Sequence, residues 1–201
     1  MINTKERILD TALDMFNELG MSQVSQRMIT ESMKISPGNL TYHFKKKDDI
    51  VVALYMRLVD RFSELFDQVG VGEASLQKMF LLSEVMYDVI YSYRFFFVDF
   101  VQLMRFEKIE RHYRELLLIR KEQFSIAVEA LCLEGVLRKE QLSQEYDMLF
   151  DRLRLVTDFF LLTLPHRVDD SLLKQDFLRQ IKYTIYPYLS QRGRDEFQKW
   201  I

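Results

Sequence analysis

Ser36-Pro37-Gly38-Asn39-Leu40-Thr41-Tyr42-His43-Phe44 is the stretch on which the fold turns. A hydroxyl followed at once by proline is a strong helix start. The serine can cap free N–H groups, and proline fits the first helical position because it has no N–H to satisfy. The helix so begun is short, about Pro37–His43. Leu40 and Phe44 are four residues apart and share one face, which turns them toward a core. Pro37, Gly38, Asn39, Thr41, Tyr42 and His43 are left on the opposite face.

Backward from this stretch, only Lys34-Ile35 separates it from a second helix. That helix opens after Ser25 and carries Met28, Ile29 and Met33 inward. A first helix precedes it. Thr4 can cap it, Ile8, Leu9, Ala12, Leu13, Phe16 and Leu19 fall on one face, and Gly20 fits its end. Forward, Asp48 and Asp49 suit the start of a fourth helix through Ile50, Leu54, Leu58, Phe62 and Leu65. Val69-Gly70-Val71-Gly72 breaks the pattern. Further helices are predicted at about 75–91, 94–105, 108–134, 144–164 and 171–189. Gly135 and Pro165 end two of them, Asp170 or Ser171 caps the last, and Pro187 kinks or ends it.

Two short helices joined by a tight turn make a helix-turn-helix when the second can enter a major groove. The outward face of Pro37–His43 has suitable chemistry. Gly38 removes bulk where backbone would approach DNA. Asn39 can hydrogen-bond a base edge, best matched to adenine. Tyr42 and His43 can reach phosphate or touch thymine methyls, and the helix N-terminus can hold a phosphate. Charge agrees locally. The chain of 201 residues carries a net −2, yet residues 22–47 carry five basic residues and one acid, so the remainder is at −6. A solvated charged face is the competing explanation of that window.

Composition bounds the other possibilities. Hydrophobic residues make up 48% and charged residues 29%, which argues against disorder. With three prolines and six glycines, long amphipathic stretches run unbroken. The single cysteine, Cys132, excludes an intrachain disulfide and a multi-cysteine zinc site. It reads as a small buried apolar residue, with a sensing thiol as the alternative. No secretory signal opens the chain and no long uncharged run could span a membrane, so a cytoplasmic location without membrane contact is expected.

The Ser36–Phe44 stretch, followed by Lys47, closely resembles the recognition helix of TetR-family regulators. The resemblance covers about residues 4–55 and includes Ile8, Ala12, Phe16, Gly20 and Arg27. It implies an all-α fold, with a three-helix helix-turn-helix DNA-binding domain at 1–47. A larger helical effector-binding and dimerisation domain follows at 48–201. It implies that Ser25 and Gln26 lie near backbone phosphate, and that Arg27 reaches phosphate or a guanine edge. Asn39 and Tyr42 would read bases. Ser36, Pro37 and Gly38 would open the recognition helix on the DNA, Thr41 and His43 would lie nearer phosphate, and Lys47 would anchor another. Two positions depart from the family pattern. Lys34 stands where glycine is usual, and a left-handed lysine there costs roughly 1 kcal/mol. Thr41 stands where tyrosine is common and has a shorter reach.

The remainder of the chain invites two readings of Tyr91–Phe100, a run dominated by aromatic residues. One is a central core helix. The other is a pocket wall for a small apolar effector, with Met79, Met86, Tyr93, Phe96, Phe97, Phe100, Met104 and Tyr113 as candidate contacts. The stretch from Tyr93 through Tyr113 to Arg120 also resembles one C-terminal subtype of the family. The helix at 144–164 carries apolar residues on two faces and needs two burial partners. One face would pack internally and the other would meet a second copy, giving a two-fold four-helix interface. Leu149, Leu153, Val156, Phe160, Phe177, Ile181 and Ile185 are its candidate residues.

Enzymatic readings have little support. His43, His112 and His166 form no metal-binding pair, and no nucleophile elbow, phosphate loop or dinucleotide fingerprint occurs. His112 reads as a surface or pocket-edge residue and His166 as loop. No cofactor or metal is expected. The expected partners are double-stranded operator DNA, a second copy of the chain and a small apolar effector. Expected function is a repressor released from its operator by that effector. The alternatives are a regulator without an effector and a helical protein-interaction module.

Overall fold

The computed structural model describes residues 3–70, 75–163 and 170–200. Of the expected break Val69-Gly70-Val71-Gly72, the first two residues still belong to a helix and the last two lie outside these, as do the stop at Pro165 and the loop residue His166. The helices are α1 (Thr4–Leu19), α2 (Gln26–Met33), α3 (Pro37–His43), α4 (Lys47–Gly70), α5 (Leu76–Ser92), α6 (Arg94–Val98), α7 (Phe100–Leu103), α8 (Glu107–Leu133), α9 (Glu145–Phe159), α10 (Asp170–Ile185) and α11 (Gln191–Phe197). Short 3-10 turns occupy Met21–Gln23, Phe160–Thr163, Tyr186–Tyr188 and Gln198–Trp200. Extended pairing among the described residues is confined to one bridge, Leu137 to Leu189.

The chain forms two compact units. The first combines Met1–Ser63 with Val89–Arg111, and the second combines Glu64–Asp88 with His112–Ile201. The contacts therefore do not divide at 47/48. The first unit keeps the opening turns of α4 and recruits α6 and α7. The reason is aromatic packing. Phe95 lies 5.3 Å from Phe16 on α1, and Phe96 stacks on Tyr55 of α4 at 5.4 Å between ring centres. Ile8, Ala12, Phe16, Ile29, Leu40, Ile50, Val51 and Leu54 complete this core. Two expectations for α1 change. Asn3, not Thr4, supplies the cap, accepting from the Lys5 N–H at 3.1 Å. Leu19 is half exposed.

In the second unit, Tyr87, Phe160 and Phe177 make a run of ring contacts at 5.4–5.5 Å. Phe80 meets Phe197 at 5.8 Å. This core overturns most of the expected dimer surface. Leu149, Phe160, Phe177, Ile181 and Ile185 are buried within their own chain and have no area left to give a second copy. Leu153 and Val156 are only partly exposed. The faces that remain outward carry Met148, Leu155 and Leu162, spaced seven residues apart, and Leu172 and Tyr183 on α10.

Two features of this unit were illegible beforehand. One is α11. Ser190 caps it by accepting from the Gly193 N–H at 3.0 Å, while the Ser190 hydroxyl donates to the Gly135 carbonyl at 2.5 Å. Gly135, at φ 70°, closes α8 as expected. The other is the α8–α9 connection. Arg138 grips Glu145 through both oxygens at 2.6 and 2.9 Å, and the Gln141 N–H adds a third bond at 2.8 Å.

These contacts give two expected outcomes. A Cβ on Gly193 would sit 2.2 Å from the Val136 carbonyl oxygen, so Gly193→Ala must push two backbones apart. Overpacking of this kind costs about 1–3 kcal/mol and should appear as a lowered chemical-denaturation midpoint. The Arg138 bonds pull the Glu145 carboxyl from an ordinary 4.5 down to about 2. Its stabilising contribution is complete above the unfolded value and disappears as pH falls through the folded one. The melting-temperature gap between the wild type and Glu145→Gln should therefore close between pH 5 and about 2. A constant gap across that interval would disprove the assignment.

Candidate nucleic-acid interface

The turn that aims α3 begins with α2. Ser25 caps α2 by accepting from the Met28 N–H at 3.3 Å. At the other end, Lys34 is left-handed (φ 54°, ψ 43°), as the departure from the family's glycine implied. Its N–H reaches the Glu31 carbonyl at 3.2 Å, and the Ile35 N–H reaches Thr30 at 3.1 Å. These two bonds close the helix and turn the chain sharply. Ser36 then caps α3, accepting from the Asn39 N–H at 3.2 Å with Pro37 behind it.

Leu40 and Phe44 are buried as expected. Gln26, expected near phosphate, is instead a buckle. Its Nε2 donates to the Phe44 carbonyl at 3.0 Å and ties the start of α2 to the end of α3. The Thr41 hydroxyl donates back along its own helix to the Pro37 carbonyl at 3.0 Å, so its phosphate role would require giving up that bond. Pro37 lacks an N–H and Ser36 takes that of Asn39, which leaves Gly38 to supply the helix-end N–H.

Tyr42 and Asn39 on the outward face stay open to an outside partner. Tyr42 is 85% exposed, and its ring meets His43 edge-on at 5.1 Å. Asn39 is exposed, and among the described residues no hydrogen bond holds its side-chain amide. At Gly38 a Cβ would make only an ordinary 3.9 Å contact with Ser36 Oγ, so nothing inside the chain requires glycine there. Seven residues of helix span about 10 Å, within the roughly 12 Å width of a major groove. Arg27 is exposed and paired with Glu31 at 2.7 Å, a surface pair that a phosphate could displace.

Lys47 departs most from expectation. Its ammonium donates to the carbonyls of Met21 and Val24, both at 3.0 Å, and so braces the α1–α2 connector. One N–H remains for phosphate. The exposed lysines Lys45 and Lys46, counted in the local charge but not singled out, flank it. Asp49 fixes the start of α4 by accepting the Lys46 N–H at 2.9 Å.

A family model described as bacterial regulatory proteins of the tetR family matches residues 8–54, and one described as bacterial transcriptional repressor matches 57–197. The chain belongs to the TetR family. Among curated proteins it is similar to a probable HTH-type transcriptional regulator, YttP, of Bacillus subtilis, at 21% identity over all of this chain and 93% of that one. Among solved structures it resembles a TetR-family regulator from Marinobacter aquaeolei VT8. That match has a TM-score of 0.87 and 25% identity, and covers 99% of this chain and 97% of the other. The fold also matches the SmeT–triclosan complex at TM-score 0.70 and 17% identity, over 94% of this chain and 92% of that one. The protein is thus a TetR-family DNA-binding transcription regulator, all-helical, with its helix-turn-helix in the first unit. Among the described residues no helix is long and apolar enough to cross a membrane.

The candidate effector contacts divide between the units. Tyr93, Phe96, Phe97, Phe100 and Met104 belong to the first, where Tyr93, Phe96 and Phe97 are buried core. Those three therefore fit the core reading, and Phe96 is stacked on Tyr55. Met79, Met86 and Tyr113 belong to the second. There the Tyr113 hydroxyl donates to Asp158 at 2.5 Å, with Arg154 at 3.5 Å from the same oxygen. Burial raises the carboxyl of Asp158 and, together with that carboxylate, the Tyr113 phenol. Asp158 was missed because an acid amid leucines and phenylalanines reads as a solvent-facing position.

Substitutions on α3 and at the first residue of α4 should separate reading from bracing. Asn39→Ala and Tyr42→Ala are expected to cost about 1–3 kcal/mol of specific binding with unchanged thermal stability. Lys47→Ala should weaken binding to every duplex and lower the melting temperature as well, because two carbonyls lose their donor. Wild-type affinity in all three variants, by fluorescence anisotropy, would place the DNA face elsewhere.

Proposed function

We propose that this TetR-family protein is a homodimeric repressor that reads a near-palindromic operator and leaves it when a small apolar effector binds. The observation that carries the reading is the outward face of α3, with Asn39 and Tyr42 exposed above buried Leu40 and Phe44. Ser25, Arg27, Gly38, His43 and Lys47 supply the surrounding phosphate and backbone contacts. The spare room at Gly38 supports close approach of an outside surface.

Dimer formation is assigned to the outward faces of α9 and α10, through Met148, Leu155, Leu162, Leu172 and Tyr183. Five large apolar side chains left exposed on α9, the 3-10 turn that follows it and α10 favour a second copy over water. Paired recognition helices would then meet half-sites about one turn of DNA apart. The effector is assigned to the second unit, with Met79, Met86 and Tyr113 as contacts. The similar fold of SmeT, solved in complex with triclosan, supports a body able to admit a small apolar molecule. Such a ligand acts only through unequal affinity for the DNA-competent and incompetent shapes.

The test begins with a random-duplex selection on the full chain. An enriched, two-fold symmetric sequence is expected, with affinity falling steeply as salt rises, because phosphate contacts release counterions. Leu155→Glu should give monomers by sedimentation and lose the symmetric site. Selection of no duplex would defeat the DNA reading. A selected site insensitive to a broad panel of apolar compounds would leave a regulator without an effector.

A further inference from the structure

The connector Gly20–Val24 delivers α2 and α3, and it is held from two sides. Gly20 (φ 82°, ψ 147°) adopts a backbone open almost only to glycine, so the chain's direction is reset there. Lys47 grips the carbonyls of Met21 and Val24. The Met21 N–H donates to Asp99 Oδ2 at 3.0 Å. Asp99 lies at the break between α6 and α7, where a single helix over 94–105 was predicted.

The segment that ends at Asp99 is fastened elsewhere too. Asn17 on α1 uses both ends of its amide. Nδ2 donates to the Ser92 carbonyl at 2.8 Å, and Oδ1 accepts the Phe95 N–H at 3.0 Å. Arg57 on α4 donates to the Tyr93 hydroxyl at 2.9 Å and to Asp10 at 2.7 Å. All of these groups belong to the first unit, and none lies on the outward face of α3. Apolar burial is non-directional and would hold this segment in place without fixing its angle. Bonds to backbone N–H and C=O groups are directional and do fix it. The segment is continuous in sequence with α5 on one side and, through α7, with α8 on the other, and those helices run on into the second unit.

We propose that Asn17 and Asp99 are positioning residues for DNA binding. Through them, Ser92–Asp99 sets the direction in which α2 leaves the connector, and with it the pose of α3. A displacement of this segment reaches the DNA-reading pair through bonds to named backbone atoms. The proposal rests on the DNA-binding reading above.

The test uses the full chain as wild type, Asp99→Ala, Asp99→Asn and Asn17→Ala, on a duplex selected by the wild type. Specific affinity should fall about tenfold in Asp99→Ala, the scale of one lost charge-assisted bond. Amide exchange across residues 20–27 should rise while the helical circular-dichroism signal at the assay temperature stays intact. Asp99→Asn keeps an oxygen that can accept the same N–H and should recover most of the affinity. Asn17→Ala should act in the same direction as Asp99→Ala. Wild-type affinity in both alanine variants overturns the proposal, as does a loss that tracks falling helical signal and is not recovered by Asp99→Asn. If the wild type selects no duplex, the DNA reading fails and takes this one with it. Unchanged exchange in Asp99→Ala with a duplex in hand defeats the positioning role alone.

Discussion

A seven-residue helix has no business standing alone in water, and α3 stands because Leu40 and Phe44 are buried beneath it. Helix nucleation is too costly for so few residues to repay from their own hydrogen bonds. Two apolar anchors one turn apart, a serine cap and a proline with its backbone angle already set make up the difference. Once these are in place, the other face has only one way to point. The face proposed to read DNA is a geometric consequence of where the apolar residues are not.

That local logic explains what was legible in the sequence. Ser36-Pro37, the Leu40/Phe44 spacing and the left-handed Lys34 are short-range signals, each read within a few residues. The structure reproduces α3 from Pro37 to His43. Long-range partners left no such trace. Nothing near Gln26 announces that its amide will close on the Phe44 carbonyl, and nothing near Asp99 points to Met21, 78 residues away. The short α11 was missed for a similar reason. Gly193 answers to a distant partner, Val136, whose carbonyl leaves no space for a Cβ.

The helices α9 and α10 show a second limit. The apolar residues on two faces of α9 called for two burial partners but could not say which face took which. The aromatic contact of Phe160 with Phe177 decided it, by drawing Leu149, Ile181 and Ile185 into the same intrachain core. What is left over, Met148, Leu155 and Leu162, is a thinner stripe than the one assumed from sequence. An amphipathic pattern therefore fixes how much surface must be covered. Only packing decides by what.

The polar residues of the head sort by the same criterion, whether their hydrogen-bonding capacity is already used. Gln26, Lys47, Asn17 and Asp99 spend theirs on backbone groups of the connector, on α3 and on Ser92–Asp99. They are where a donor or acceptor would otherwise be left without a partner, a loss of about 1–3 kcal/mol each. Asn39, Tyr42, Lys45 and Lys46 are exposed and lie on or beside α3. A residue-type scan cannot separate an asparagine that braces, such as Asn17, from one left exposed on the face proposed to read DNA, such as Asn39. Both are amides in an amphipathic helix. Their difference lies in the backbone atoms opposite them, and so the division between reading and bracing is a property of the fold.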